Sequence, residues 1–188
     1  MVASAPVAAG PWVDSVGRST ELTFPGSAPV KLTAGTHSLT DGVAAFVGLC
    51  VETGFDRAKV ERAAAASDWA FAYRAEMMPF KPPVDVGGWN AADATLRMAN
   101  GIFFNKKPQC SFMFAPQGGA DMAAVQAALT KLIGPPGNAA KQFDKNGKAK
   151  KYYTPEWTVT VADAKPLKVY ALPAVYNAGA FQLAVLQN

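Results

Sequence analysis

Cys50 and Cys110 are the two cysteines of the chain and stand 60 residues apart. Three chemistries are open to such a pair: a structural disulfide, two buried thiols acting as small hydrophobes, or a thiolate nucleophile paired with a base. The base would have to be His37, the only histidine, and no spacing in the sequence joins it to Cys50. Periodicity says more. Cys50 falls on the apolar stripe of a helix predicted over 41–53, with Val43, Phe46 and Val47. Cys110 alternates with Phe112 and Phe114 on one face of a predicted strand. Both sulfurs therefore point at one core, and a helix packed on a sheet brings them into bonding range. A bridge closing that loop would stabilise the fold by about 4 kcal/mol on the chain-entropy model and would place the chain in an oxidising compartment. Two reduced thiols in a cytosolic protein are the alternative.

The remaining residues with chemical potential are isolated. One histidine and no Cys-x-x-Cys build no metal centre, and no glycine-rich phosphate loop or Gly-x-Ser-x-Gly elbow is present. No metal and no cofactor are expected. Gly118-Gly119-Ala120-Asp121 precedes a helix, but the Asp121 carboxylate already occupies the position an anion would take. The acids Asp41, Asp56, Asp121, Asp144 and Asp163 are spread singly over caps and turns. No catalytic residue is assigned, and the reading leans away from an enzyme. Trp69, Trp89 and Trp157 stand at element boundaries, where such residues plug the edge of a core.

The net charge of +4 has one location. Residues 141–151 hold five lysines against Asp144, and the other 13 basic and 13 acidic residues cancel. Within this stretch Asp144-Lys145-Asn146-Gly147-Lys148 carries an Asn-Gly turn signal, so a hairpin with a solvated tip is expected. Lys145, Lys148, Lys150 and Lys151, with Tyr152 and Tyr153, are the candidate partner contact, through which the chain would meet an acidic protein or an anionic surface. A nucleic-acid site is not expected, because arginines and interleaved aromatics are missing from the stretch.

These residues need a frame to hold them. The chain has 188 residues, 50% of them apolar, enough for one core. No run of about 18 apolar residues spans a membrane. Residues 1–36, rich in Pro, Gly, Ser and Thr, read as an extended N-terminal arm, and 37–188 as a single domain. Residues 1–10 lack the basic start and apolar middle of a signal peptide and have the small-residue texture that follows one. Three helices are predicted. The first is capped by Thr40 or Asp41, the second is alanine-rich behind Asp56, and the third covers 122–133 between Asp121 and Gly134. Trp69, Phe71 and Tyr73 alternate, which suits a short strand or an extended exit from the second helix. Three prolines in 79–83 make a loop, Asn100-Gly101 a hairpin turn, and alternation at Leu96 and Met98, around Cys110, from Trp157, over 167–175 and over 181–186 makes strands. The class is α+β: an antiparallel sheet of about five strands with about three helices packed on one face.

Phe46-Val-Gly-Leu-Cys50-Val-Glu-Thr53-Gly54, then Asp56, the alanine-rich helix, Trp69, the Cys110 strand and a late Trp157 resemble small exported proteobacterial proteins of uncharacterised role. In that group a Phe-x-x-x-Cys-x-x-Thr helix precedes an alanine-rich helix and a second Cys in a sheet. The likeness covers roughly residues 40–186 and implies a periplasmic or secreted α+β domain with a disulfide, without transferring an activity. The lysine hairpin and the arm lie outside it. The function expected is that of a non-enzymatic binding or accessory protein with a protein partner in the cell envelope. A small-ligand carrier and an envelope enzyme with a site hidden from the sequence are the alternatives.

Overall fold

The computed structural model describes residues 32–33, 35–78, 84–99, 108–137, 140–143, 149–161, 165–173 and 179–187. The expected proline loop at 79–83, the Asn100-Gly101 turn, the tip of the lysine hairpin and most of the arm fall outside them.

The first helix, α1 (Leu39–Phe46), begins one turn earlier than expected. Ser38, and not Thr40 or Asp41, is the N-cap: its Oγ accepts from the Asp41 N–H at 3.2 Å, while Asp41 Oδ2 accepts from the Ser38 N–H at 2.9 Å. Ser-x-x-Asp thus closes a capping box that satisfies two otherwise orphaned donors. The predicted single helix to residue 53 is also divided. After Phe46 the coil widens into a π-turn, Val47–Val51, with the Glu52 N–H bonded back to the Val47 carbonyl at 2.9 Å. The Thr53 hydroxyl donates to the Leu49 carbonyl at 2.9 Å and closes the end. α2 (Arg57–Ala66) and α3 (Met122–Ile133) follow their caps, with Asp56 accepting from the Lys59 N–H and Asp121 from the Ala124 N–H. Gly134 ends α3 at φ 85°, a conformation that costs a Cβ-bearing residue energy.

The strands are β1 (Ala72–Met78), β2 (Val84–Asn90), β3 (Ala94–Ala99), β4 (Gln109–Phe114), β5 (Ala140–Phe143), β6 (Ala149–Thr154), β7 (Glu156–Val159), β8 (Leu167–Pro173) and β9 (Phe181–Gln187). Seven of them form one antiparallel sheet in the order β1-β2-β3-β4-β9-β8-β7, and β5 and β6 pair separately as a hairpin. The expected five strands are therefore too few. Ala72–Met78 begins at the end of the alternating Trp69, Phe71 and Tyr73 but continues through Ala, Arg, Glu and Met, which favour helix, and Val84–Asn90 carries Gly87 and Gly88, which weaken a strand. Both acquire strand geometry from their ladders, β1 on β2 and β2 on β3.

Register sorts the side chains into two faces. Met98, Cys110, Val185, Val169 and Trp157 line up across five strands, and all five are buried. α1 and the π-turn lie on β4, the π-turn also on β9, and α3 on β8, while α2 packs on the π-turn. Gly42 lets α1 approach closely, since a Cβ there would overlap the Phe114 ring. Cys50, carried by the π-turn, is disulfide-bonded to Cys110 with Cα atoms 5.5 Å apart, and both residues are fully buried. On the opposite face the row Arg97, Ser111, Ala184, Tyr170 and Glu156 runs polar at both ends.

Candidate functional site

The bridge removes one chemistry at once. Both thiols are consumed, so neither is a nucleophile. Among the described residues no group of three His, Cys, Asp or Glu side chains could hold a metal ion. No helix among them is long and apolar enough to cross a membrane.

His37, the one base in reach of this region, is built into the frame. Its Nδ1 lies 2.9 Å from Oδ2 of the buried Asp93, which also accepts from the Thr36 N–H at 3.2 Å. A carboxylate only accepts, so Nδ1 donates. The ring stacks on Trp69, centroids 3.7 Å apart and planes 18° apart. Trp69 continues edge-on to Phe112, and Phe112 stacks on Phe114. Ala70, at φ 51°, turns the chain so that Trp69 and Phe71 stack against each other. The His37 carbonyl accepts from the Gln117 N–H at 2.8 Å, and Thr33 and Gly35 donate backbone N–H groups to Ala92 and Ala115. The last residues of the expected arm are thus tied to the sheet beside the β2–β3 turn. The histidine's Nε2 faces the Asp68 carboxylate at 3.9 Å, and among the described residues no hydroxyl or thiol is bonded to that nitrogen. Its role here is to position the start of α1 against the sheet.

Next to this strut, α1, the π-turn and the end of α2 enclose an open cleft of about 450 Å³, within the range of roughly 300–1,000 Å³ usual for binding sites. Its walls are short: Ala44, Ala45, Gly48, Ala63 and Ser67. Leu49 and Trp69 supply apolar surface, and Asp41, Glu52 and Asp68 supply carboxyl groups, with no lysine or arginine among the described lining residues. The π-turn makes the opening, because space beside Gly48 is empty where a side chain would stand. The hydroxyl and backbone N–H of Ser38 lower the pKa of the Asp41 carboxyl from its ordinary value by bonding its charged form. Asp68 has 84% of its side chain exposed, with His37 Nε2 at 3.9 Å on one side and solvent on the other. The described segment 32–56 contributes Asp41, Glu52 and Asp56 and no lysine or arginine.

Of the residues singled out from sequence, Cys50 and Cys110 come together. Trp69, Trp89 and Trp157 are buried at the edges of the core. Lys150, Lys151, Tyr152 and Tyr153 lie on β6, paired antiparallel with β5, and Lys145 and Lys148 lie outside the described residues. The cleft residues Gly48, Glu52 and Asp68 had no distinguishing signal, since their meeting depends on the π-turn and the helix-to-helix approach. Asp93 likewise looks like one more turn acid until the chain 57 residues away reaches it.

No protein-family model matches this chain, and neither does any curated protein or solved structure compared with it.

Proposed function

We propose that this chain is an exported, non-enzymatic binding domain, of periplasmic or secreted location, whose interhelical cleft holds a basic segment of a protein partner. The observation that carries the reading is the cleft itself, an open apolar-floored groove rimmed by Asp41, Glu52 and Asp68 without a counter-cation among its described residues. An extended chain with a lysine or arginine could lay its aliphatic stem on Leu49 and its charge between the carboxylates. The disulfide supports an oxidising compartment. The openness of the groove favours a peptide segment over a sequestered apolar ligand, and its carboxylates fit a cation better than a lipid.

Gly48→Leu tests this directly, because it fills the groove where the backbone leaves room. The variant should keep the disulfide and the wild-type melting temperature or better, and should lose affinity capture of the partner from the native host. Capture at wild-type yield by a folded Gly48→Leu protein would sink the reading.

A further inference from the structure

We propose that the basic segment is supplied by a second copy of this chain: the lysine hairpin of one protomer docks in the acidic groove of the next. The inference rests on the cleft reading above and adds the identity of the occupant.

Charge complementarity within one sequence carries it. Residues 141–151 hold five lysines and one acid, and so hold the entire +4 of the molecule, while the remainder is neutral. The groove runs the other way: its described lining holds Asp41, Glu52 and Asp68 and no lysine or arginine, while Arg57, Lys59 and Arg62 of α2 are not among its lining residues. Water alone can satisfy a lysine-rich stretch, but the groove gives those lysines a counterpart of opposite sign between short walls. β5 and β6 pair with each other and not with the seven-stranded sheet, so the lysine stretch belongs to a separate hairpin. Two different patches are joined in such a contact. It is therefore heterologous, and it builds a ring if the rotation closes or a growing chain of protomers if it does not. Exposed ion pairs contribute little singly, so the contact should be reversible and salt-sensitive.

Sedimentation of the oxidised full-length chain over a concentration series tests it. At low ionic strength the mean mass should rise with concentration, and it should return to the monomer value as salt passes about 0.15 M, where the Debye length is about 8 Å. One variant reverses the groove, Glu52→Lys with Asp68→Lys. A second reverses the hairpin, with Lys145, Lys148, Lys150 and Lys151 each changed to Glu. Each alone should associate at least about tenfold more weakly than wild type. Mixed together they should re-associate, because the reversed hairpin then meets the reversed groove, and this recovery excludes misfolding as the cause of either loss. A chain that stays monomeric at low salt, association indifferent to both reversals, or a mixture that fails to recover would overturn the proposal. So would salt-sensitive binding to phosphatidylglycerol vesicles that the hairpin variant loses and the groove variant keeps, since the lysines would then belong to a lipid surface. If the chain is monomeric yet Gly48→Leu abolishes partner capture, self-docking fails and the cleft reading stands. If Gly48→Leu changes neither capture nor self-association, the cleft reading itself fails.

Discussion

Gln109 is 1% exposed at the start of β4, and neither its amide nitrogen nor its amide oxygen has a hydrogen-bond partner among the described residues. A buried polar group without a partner costs about 1–3 kcal/mol. Gln109→Met, close in volume and apolar, should therefore raise the urea midpoint by the equivalent of about 1–3 kcal/mol with an unchanged m-value. A destabilised variant would mean that the amide is satisfied in solution. On the same face Glu156 accepts from Lys168 Nζ at 2.7 Å and from the Tyr170 hydroxyl at 2.6 Å. Burial, and then Glu156, push Tyr170 far above its ordinary value near 10. The unfolded chain thus releases this proton first, so the contribution is fully present below about pH 10 and is lost as pH rises beyond it. Tyr170→Phe should cost about 1–2 kcal/mol at pH 8, the low end for a bond to a charged group because the site is only partly buried. Its stability curve between about pH 9.5 and 11 should fall less steeply than wild type. Parallel curves from denaturant titrations would refute the assignment.

At the scale of elements, Gly42 and Gly48 sit in successive turns of the same helical segment and should answer the same substitution oppositely. A Cβ at position 42 overlaps the Phe114 ring, and one at 48 meets nothing within 4 Å. Gly42→Ala should destabilise by about 1–3 kcal/mol despite alanine's better helix propensity, whereas Gly48→Ala should stabilise by up to about 1 kcal/mol. Equal signs in thermal melts would contradict the packing described. The helices were readable because caps and 3.6-residue periodicity are local: Asp56, Asp121 and Gly134 act where the sequence places them. The π-turn was not readable, because its wider coil is held by packing on β4 and β9 and by the tether at Cys50. Alternation at Trp69, Phe71 and Tyr73 marked only the start of β1; the rest of it and β2 were obscured for the converse reason, since helix-favouring residues and paired glycines take strand form only when a neighbouring ladder satisfies their backbone.

For the whole molecule, the Cys50–Cys110 bridge joins the helical layer to a central strand of the sheet. Cys50→Ser with Cys110→Ser should cost about 2–5 kcal/mol by denaturant unfolding, the range for a native bridge. A loss below about 1 kcal/mol would show the layers to be held by packing alone. By itself the sequence determined the α+β class, the helix caps, the alternating strands of the core and the localisation of positive charge, since each depends on residues within a few positions of one another. It also placed both cysteines on apolar faces while leaving bridge and free thiols open. Tertiary structure alone decided that they are joined, that the sheet has seven strands, that His37 is a strut on Asp93 and Trp69, and that Gly48, Glu52 and Asp68 share a groove. Those are meetings between residues distant along the chain or set by how one helix approaches another. Burial and register fix them, and local propensity carries no trace of either.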